Sequence, residues 1–491
     1  MHPTWDIPEL VELIFDFLDP REAAKAATVC RIFWLAALPR SWRNVHTFDN
    51  LLNLLPHDIR GSANRGAIFN IKRPLSESDW ERFLIYSYYT KALSKPIYQD
   101  TAELYGGIVQ ELPPTPIFPN LVSTELEIYW VPADRNLDFL HLFLPQTVSE
   151  VRIRAIVTVG RILQVLTKDI RTRNLKTLGL IKLDITKDNL NTSISQVLQS
   201  YEGIQALELE LKTGSQILEV LLSAGHLRNL RRLDARTIQP DAAIALPSRG
   251  LHLELETLQL TGTFPFILSL LASVEPRSMR GVKMVVQKTE PSGSDGAPAN
   301  APFSDYLGSI RRFIHLKSLE MEIKIPVLLD DLRAILPCVD LETLRIVGPQ
   351  LSSSEQGEDL VRAMVEAWPR LKMLELRSTL DSLDSAQALR LPHLQVIAKE
   401  CQTLERLHIS IDARGSKGPV FHPEGIETAT KNLLRELEIS CVQLQDVSGS
   451  GLVMIVKRMW PWLRLVSSNR ELLRISGKVA GVTITSKFYY N

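Results

Sequence analysis

The chain has 491 residues, and its 56 lysines and arginines balance its 56 aspartates and glutamates. A formal net charge of zero gives no general attraction to nucleic acid or to an anionic membrane, so neither is expected as a partner. The hydrophobic fraction of 45% is ordinary for a globular protein. The four cysteines are not paired at metal-ligand spacing, which predicts reduced core thiols, no metal site, and a cytoplasmic or nuclear location.

The first residues do not have the pattern of a signal peptide, because Asp6, Glu9 and Glu12 stand where a basic segment is needed. The longest uncharged apolar run, residues 264–274, is shorter than the roughly 20 residues of a membrane-spanning helix. We therefore expect a chain that is neither secreted nor inserted in a bilayer.

Residues 7–45 are predicted to form three short helices. Pro8 stands in the first turn of helix one, where proline is favoured. Asp19 followed by Pro20 and Glu22 is a start signal for helix two, because the aspartate can cap the helix and the glutamate can answer it.

Helix one carries more apolar surface than three short helices can bury. Its polar residues Glu9, Glu12 and Asp16 recur at intervals of three and four, so they form one narrow stripe. The rest of the helix is apolar, whereas a helix that packs only on its own small core has a narrower apolar face. A unit of about 40 residues cannot bury a second face alone. We therefore expect a protein partner on the remaining apolar surface.

This segment resembles an F-box, the motif by which substrate-recognition subunits of cullin-type ubiquitin ligases dock on a Skp-type linker protein. The resemblance rests on Ile7-Pro8-Glu9-Leu10, Ile14-Phe15, Leu18-Asp19, Val29-Cys30-Arg31 and Trp42-Arg43, in that order. It implies binding to the linker and, through the linker, to a cullin. The linker-binding residues that it implies are Ile7, Pro8, Leu10, Ile14, Leu18, Val29, Cys30, Phe33 and Trp34. An N-terminal helical cap on a larger domain is the alternative interpretation of the same residues.

Residues 46–120 have an irregular pattern and are predicted to be a connector with irregular first repeats. Within them, residues 76–93 are predicted to form a helix whose core face carries Trp80, Phe83, Leu84 and Ser87.

From about residue 121 onward an L-x-x-L-x-L pattern recurs at intervals of roughly 25–30 residues. Its copies are Leu175-Leu178-Leu180, Ile204-Leu207-Leu209, Leu230-Leu233-Ala235, Leu255-Leu258-Leu260, Met279-Val282-Met284, Leu316-Leu319-Met321, Leu341-Leu344-Ile346, Leu371-Leu374-Leu376, Leu404-Leu407-Ile409 and Leu434-Leu437-Ile439. Weaker copies are predicted at Leu126-Ile128, Val148-Val151-Ile153 and Leu463-Val466. One longer interval contains residues 287–302, which are rich in Gly, Pro, Ser and Ala and are predicted to be a flexible inserted loop.

In each copy the last two apolar residues are two positions apart, so they point to the same side of a short strand. Helices are predicted after several strands, at residues 159–168, 192–199, 215–224 and 359–367. No single copy can bury its apolar face, so the copies must stack. The pattern resembles the irregular leucine-rich repeats that follow many F-boxes, which implies an α/β solenoid shaped as a horseshoe.

Strand residues that alternate with the leucines are predicted to face the concave side of this solenoid and to contact a protein substrate. Their charges are mixed, whereas a nucleic-acid groove requires a basic stripe with aromatic residues. Cross-strand charge pairs on a solvated sheet are the alternative explanation for any one of them. The candidate substrate-binding residues are Glu208, Glu210, Arg232, Arg236, Lys283, Glu320, Arg345, Arg377, Arg406 and His408.

The sequence has no pattern typical of a catalytic site. It contains no glycine-rich phosphate loop after a strand, no G-x-S-x-G elbow, no H-E-x-x-H motif and no paired C-x-x-C motifs. We therefore expect no enzymatic activity, no catalytic residue and no cofactor.

These patterns predict an F-box at residues 1–45, a connector at 46–120, a leucine-rich-repeat solenoid at 121–474 and a C-terminal cap at 475–491. The resemblance implies the substrate-recognition adaptor of a Skp–cullin–F-box ubiquitin ligase, which holds a protein substrate for ubiquitination. Two alternatives remain open at this point. One is a leucine-rich-repeat scaffold without a ligase role, and the other is an enzyme that uses a pocket of the solenoid.

Overall fold

The structure is a computed structural model that forms two compact units. Unit 1 comprises Met1–Lys212 and Gln216–Leu230, and unit 2 comprises Thr213–Ser215 and Arg231–Asn491. The residues that the structure describes are 7–59, 73–97, 108, 116–129, 137–155, 159–168, 174–183, 190–223, 227–239, 253–287, 303–324, 327–349, 351–352, 357–378, 391–411, 434–441, 459–460, 465–467, 472–477 and 482–488. The predicted insert at 287–302 lies outside these residues from 288 onward.

Unit 1 combines helices with a parallel sheet. Its α-helices are α1 Pro8–Asp16, α2 Pro20–Ala26, α3 Arg31–Ser41, α4 Phe48–Leu52, α5 Glu77–Tyr88, α6 Val159–Lys168, α7 Leu190–Ser200 and α8 Gly214–Ser223. The last of these belongs to unit 1 from Gln216 onward. The strands are β1 Asn44–Val45, β2 Ala92–Ile97, β3 Ser123–Ile128, β4 Glu150–Ala155, β5 Thr177–Leu183 and β6 Ala206–Leu211. All neighbouring strands from β1 to β6 run parallel.

The first three helices pack around a small core of their own. Its buried residues are Val11, Phe15, Ala23, Ala36 and Ala37. The rings of Phe15 and Phe33 meet edge to face with their centroids 5.5 Å apart. The Arg40 Nε donates a hydrogen bond of 2.8 Å to the Leu18 carbonyl, which joins α3 to the end of α1. Only one side of α1 takes part in this core.

Helix α2 begins with the predicted start signal. The Asp19 carboxylate accepts hydrogen bonds from the backbone N–H groups of Arg21 and Glu22, both at 2.8 Å. The Glu22 carboxylate accepts one from the Asp19 N–H at 3.2 Å. These bonds satisfy backbone donors that no carbonyl of the helix can reach, so the prediction of this helix start is confirmed.

The chain passes from the three helices directly into the sheet. Strand β1 follows α3 and pairs with β2, so that Asn44 lies beside Ala92. The backbone N–H groups of Lys91 and Ala92 both donate to the Arg43 carbonyl at 2.9 Å. The three-helix segment and the sheet of unit 1 are therefore joined by strand pairing.

Helix α5 ends before its predicted end. The sequence predicts a helix over residues 76–93, whereas α5 stops at Tyr88 and β2 begins at Ala92. The last residues of the predicted helix instead pair with β1 as part of the sheet. This pairing cannot be predicted from local helix propensity. On the predicted core face Trp80, Phe83 and Ser87 are buried, whereas Leu84 is only partly buried.

In unit 1 most of the predicted leucine positions lie side by side. Leu178 of β5 lies beside Val151 on one strand and beside Leu207 on the other. The predicted copy at Leu126-Ile128 is a buried pair on a strand, but its predicted alignment is wrong by two residues, because Thr124 is the neighbour of Val151 and Leu126 is the neighbour of Ile153. The Thr124 side chain is buried, so a polar residue occupies a position where the pattern requires an apolar one. That exchange concealed the correct alignment of this copy.

Unit 2 is also built from parallel strands and helices. Its α-helices are α9 Phe264–Ser273, α10 Phe303–Ile310, α11 Gly357–Ala367 and α12 Leu391–Glu400. The strands are β7 Arg232–Thr237, β8 Thr257–Gly262, β9 Gly281–Val286, β10 Ser318–Ile323, β11 Val327–Leu328, β12 Thr343–Gly348, β13 Leu351–Ser352, β14 Met373–Ser378, β15 Arg406–Ile411, β16 Glu436–Cys441, β17 Leu465–Ser467, β18 Leu472–Gly477 and β19 Val482–Phe488. The short strands β11 and β13 pair only with each other in the described part of the chain.

The predicted leucine positions of unit 2 form one row across the sheet. Each member of the row lies beside the next: Leu233, Leu258, Val282, Leu319, Leu344, Leu374, Leu407 and Leu437. All of them are buried. The α/β class and a solenoid-like stack of parallel strands are therefore confirmed within the units.

The end of unit 2 differs from the prediction. The last repeat copy is predicted at Val466, yet this residue lies in β17, which pairs antiparallel with β18. The place beside Leu437 is taken by Ile484 of β19, which runs parallel to β16. Strands β18 and β19 are antiparallel to each other. A strand from farther along the chain thus covers the free edge of β16, which would otherwise expose unpaired backbone groups.

Candidate protein-binding surfaces

The side of α1 that faces away from the three-helix core is apolar. Ile7, Leu10 and Ile14 are 44%, 39% and 38% exposed. They recur at intervals of three and four, so they lie along one side of the helix. Leu13 and Phe17 extend this side and are 55% and 84% exposed. These five residues are called the α1 surface below.

The other two sides of α1 have evident roles. Val11 and Phe15 are buried in the three-helix core. Glu9, Glu12 and Asp16 form an exposed carboxylate stripe that faces water. The α1 surface belongs to neither side, and its exposure to water is unfavourable until another apolar surface covers it.

The remaining predicted linker-binding residues differ in exposure. Pro8 and Val29 are exposed, Val29 at 68%. Leu18 and Phe33 are partly buried against the three-helix core. Cys30 is partly buried at the residue that precedes α3. The structure therefore leaves part of the predicted set exposed to solvent and uses the rest in packing.

Trp34 packs against the chain itself. Its ring meets the ring of Tyr86, on α5, with the centroids 6.4 Å apart. Trp42 meets the same Tyr86 ring at 4.7 Å. These contacts could not be predicted from a local pattern, because Tyr86 lies far from both tryptophans along the chain.

The strands of unit 1 have one buried side and one partly exposed side, which is called the open face of unit 1. Burial alternates along β3, β4 and β6. On this face the Arg152 Nε and Nη2 donate to the two Glu208 oxygens at 2.9 and 2.8 Å. This pairing raises the pKa of Arg152, because the hydrogen bond with Glu208 favours the charged guanidinium. Glu210, the other predicted residue of β6, lies two positions farther along the same face.

The pair between Arg152 and Glu208 was not predicted, because it spans a whole strand. Arg152 is on β4 and Glu208 is on β6, and β5 lies between them with Gly179 in register with both. A Cβ at Gly179 would lie 2.9 Å from the Arg152 Cγ and 3.3 Å from a Glu208 oxygen. The missing side chain of Gly179 is therefore what lets the guanidinium cross the strand.

Replacement of Gly179 by alanine is expected to destabilise unit 1 by about 1–2 kcal/mol, because the new methyl group displaces the root of the Arg152 side chain. The matched control is Gly281→Ala in β9, where a Cβ would meet only a Thr257 methyl at 3.5 Å. That substitution is expected to be neutral or to stabilise by about 0.5 kcal/mol, since glycine is unfavourable inside strands. Calorimetric unfolding of both variants checks the prediction. Equal changes in unfolding temperature in the two variants would refute the claim that the absence of a side chain at Gly179 allows Arg152 to reach Glu208.

The side of the unit 2 strands opposite the leucine row is called the open face of unit 2. A row of alternating charge crosses it, with each member in register with the next: Lys283, Glu320, Arg345, Glu375 and His408. Lys283 lies 3.6 Å from Glu320, Arg345 lies 3.9 Å from Glu320, and the Arg345 Nε donates to Glu375 at 3.0 Å. Four of the candidate substrate-binding residues belong to this row, and Glu375 joins two of them, Arg345 and His408.

Glu375 is the centre of this charged row. Its side chain is only 5% exposed, and Arg377 and His408 lie 3.8 and 3.7 Å from its oxygens. Burial by itself would raise the pKa of Glu375. The close approach of His408 and the positive charges of Arg345 and Arg377 outweigh burial and lower the pKa of Glu375 below its usual value. The carboxylate is therefore held in its charged form.

The remaining predicted residues of unit 2 lie near the ends of this face. His408 also lies 3.2 Å from Glu436, and Arg406 lies 3.6 Å from the same carboxylate. Arg236 is paired within its own strand, where its Nε and Nη2 donate to Asp234 at 2.9 and 2.6 Å. Arg232 is exposed at the start of β7.

The open face of unit 2 thus combines opposite charges, and its predicted residues contact each other through carboxylates. Such a face presents a fixed pattern of charge to a partner, because cross-strand pairs hold each side chain in place. It has no excess of one sign that would attract a polyanion.

Among the described residues, no group of three or more His, Cys, Asp and Glu side chains is placed to hold a metal ion. A small pocket inside unit 2 is lined by apolar residues that include Leu360, Met364 and Ile397, together with Cys401. Burial raises the pKa of the Cys401 thiol to about 12, which keeps it protonated at neutral pH. None of the helices in the described ranges has the length and apolar character needed to cross a membrane.

Comparison with known proteins assigns no family to the chain. No protein-family model matches it, and no curated protein matches it in sequence. Its function therefore has to be argued from the α1 surface and the two open faces.

Proposed function

We propose that the protein is the substrate-recognition adaptor of a Skp–cullin–F-box ubiquitin ligase. The α1 surface docks on a Skp-type linker, which carries the cullin, and the open faces of the repeat units hold a protein substrate. The observation that carries this proposal is the exposed apolar side of α1 formed by Ile7, Leu10 and Ile14. The same residues belong to the F-box-like series in the sequence, so pattern and exposure agree on one surface.

The chemistry of the α1 surface favours a protein groove as its occupant. Its members recur with helical spacing and are flanked by a carboxylate stripe, which is the arrangement of a helix that lies in an apolar groove of a partner. Leu13 and Phe17 add apolar area beyond the F-box-like series, so the groove extends past the motif residues. Burial of such side chains on binding is favourable by about 25 cal/mol per Å² of apolar area.

The open faces support the second half of the proposal. Strands that stack in parallel present successive side chains at fixed spacing, and such surfaces are those by which repeat proteins bind partners. The charged row through Glu375 is already ordered by its own ion pairs. A partner therefore pays little additional entropy to order these side chains.

The mechanism that follows is tethering. A substrate held on the repeat units is brought close to a ubiquitin-conjugating enzyme carried at the other end of the assembly, which raises its local concentration. The proposal requires no chemical group from this chain. It requires only that the linker and the substrate bind at the same time.

The direct test is a binding experiment with purified components. The full chain is mixed with a recombinant Skp-type linker, alone and in complex with a cullin, and the complex is measured by titration calorimetry and by size-exclusion chromatography with light scattering. We expect a one-to-one complex with a Kd of about 1 μM or tighter, as for a specific helix-in-groove interface. Absence of a complex at concentrations of about 50 μM would refute the linker role.

A second measurement separates the adaptor from a repeat scaffold that binds the linker without directing degradation. Protein half-lives are compared in cells with and without the chain, and in cells that express it with an altered α1 surface. We expect a small set of proteins to become longer-lived in both altered conditions. Linker binding without any change in half-lives would favour the scaffold.

A further inference from the structure

The three-helix segment is held against α5 by aromatic rings. Tyr86 of α5 receives the Trp34 ring edge to face, with centroids 6.4 Å apart and an interplanar angle of 81°. It receives the Trp42 ring at 4.7 Å and 60°. Trp34 lies in the first turn of α3 and Trp42 directly follows its end. These three residues are called the aromatic clasp, in which one ring of α5 contacts both ends of α3.

A second contact between α3 and the rest of unit 1, called the second tie, begins at the residue directly after the clasp. Arg43 comes directly after Trp42, and its carbonyl accepts hydrogen bonds from the N–H groups of Lys91 and Ala92 at 2.9 Å. Asn44 then begins β1, which pairs with β2. Consecutive residues thus contact α5 and then β2, so the link between α3 and the sheet is neither long nor free.

The two ties fix α1 as well, because α1 is packed on α3. Phe15 and Phe33 are in ring contact, and Arg40 bonds to the Leu18 carbonyl. Motion of the three-helix segment as a body would therefore have to break the aromatic clasp or the pairing of β1 with β2. Edge-to-face ring pairs have a preferred geometry, so the clasp opposes rotation as well as separation.

We propose that Tyr86 is a positioning residue that holds the α1 surface in one orientation relative to the sheet of unit 1. The consequence for a ligase rests on the proposed function: a linker on α1 is then held in a fixed place relative to a substrate on the open face of unit 1. Tyr86 contacts neither partner in this account. It acts only through Trp34 and Trp42.

The structure offers a matched set of variants on one helix. Tyr86→Ala removes the shared ring of the clasp, and Tyr86→Phe keeps the ring while removing the hydroxyl. Tyr88→Ala is the control, because Tyr88 is 54% exposed and its ring contact is with Tyr89. Trp42→Ala removes the closer of the two clasp contacts and serves as a second test should Tyr86→Ala fail to fold.

The first readout is hydrogen–deuterium exchange of the full chain. The amides of Lys91 and Ala92 are protected by the Arg43 carbonyl, so they report on the tie between α3 and β2. We expect exchange at these amides to be about tenfold faster in Tyr86→Ala and in Trp42→Ala, as for a locally destabilised element. Tyr86→Phe and Tyr88→Ala are expected to match the unaltered chain. Equal exchange in Tyr86→Ala and Tyr88→Ala would overturn the proposal.

The second readout is the distance between α1 and α7, which a role confined to overall stability would not change. Spin labels are attached through unnatural amino acids at Glu12 and Gln199, which are both exposed. We expect one narrow distance distribution in the unaltered chain, a broadened one in Tyr86→Ala, and recovery of the narrow one in Tyr86→Phe. An unchanged distribution in Tyr86→Ala would refute the positioning role.

The linker titration separates this inference from the proposed function. Tyr86→Ala is expected to bind a recombinant Skp-type linker within about twofold of the unaltered chain, since the α1 surface itself is intact. A loss of about tenfold or more would instead make Tyr86 part of the binding surface and would contradict its role as a positioning residue. If the unaltered chain binds no linker, the proposed function fails, while the exchange and distance measurements still decide the role of Tyr86.

Discussion

Replacement of Leu10 and Ile14 together by aspartate is expected to weaken binding of a Skp-type linker by at least about 100-fold, which corresponds to a loss of roughly 3 kcal/mol. Both side chains are apolar and more than a third exposed on the α1 surface. The substitution places two carboxylates against an apolar groove, where their desolvation has no compensation. Because both sites are exposed, the free energy of unfolding is expected to change by less than about 1 kcal/mol.

The control introduces the same two aspartates into the same helix on its solvated side, and it does not reproduce the added negative charge of the Leu10 and Ile14 variant. Glu9→Asp with Glu12→Asp adds two aspartates to the carboxylate stripe without altering the charge. This variant carries a comparable cost in helix propensity, so it reports any loss that comes from weakening α1 itself. Linker binding measured by calorimetry should fall only in the Leu10 and Ile14 variant. Similar affinity in both variants would remove the α1 surface from the interface.

The core of the repeat units could be predicted from the sequence because it depends on a local pattern. In unit 2 the residues from Leu233 to Leu437 that recur at the repeat spacing are the ones that lie side by side and are buried. Each repeat copy has its own short strand with the same alternation, so the same residue positions are paired on successive strands. Neither the curvature of the stack nor the pairing between distant copies is needed for this inference.

The prediction failed where a repeat copy departs from the apolar pattern. Thr124 stands where a leucine is expected, and its hydroxyl makes no hydrogen bond with any described residue. Ile484 takes the place beside Leu437 after the chain has formed β17 and β18. Both pairings depend on which strand edge is available in the folded sheet. The local sequence does not contain that information.

The candidate site could be predicted only as a set of positions. The alternation of residues placed Arg345 and His408 on the open face of unit 2, but it did not show that buried Glu375 joins them. The pair between Arg152 and Glu208 joins residues 56 positions apart across an intervening glycine. The two side chains can meet only because the strand between them has no side chain at the intervening glycine. A sequence pattern is recognised from the side chains that are present, so it does not reveal such a contact.

The apolar surplus of α1 was predictable for a different reason. A short amphipathic helix usually has one apolar side that is buried and one polar side that faces water. The sequence of α1 has apolar residues on a further side, which is neither of these. The structure buries Val11 and leaves Ile14 and Phe17 exposed. Trp34 was assigned to the linker on resemblance alone, whereas its ring contact with Tyr86 shows that an aromatic residue of a motif can also pack within the chain.

Replacement of Glu375 by alanine is expected to destabilise unit 2 by on the order of 2 kcal/mol, because it leaves the partly buried guanidinium groups of Arg345 and Arg377 without their carboxylate. The side chain of Glu375 is 5% exposed, and Arg345, Arg377 and His408 all lie within 4 Å of its oxygens. Calorimetric unfolding at pH 7 measures this loss. The control is Glu322→Ala on β10, an exposed carboxylate of the same open face, for which a change below about 0.5 kcal/mol is expected.

The pH dependence of the Glu375 effect distinguishes a lost charge from lost packing. The folded-state pKa of Glu375 is lowered from its ordinary value of 4.5. A carboxyl group with a lowered pKa contributes stability that is fully present above its unfolded-state pKa and is lost as the pH falls through its folded-state pKa. The stability difference between the unaltered chain and Glu375→Gln, which keeps the shape of the side chain, should therefore be fully present at about pH 5 and should shrink at lower pH. A difference that stays constant down to about pH 3 would show that Glu375 acts through packing and that its charge does not organise the row.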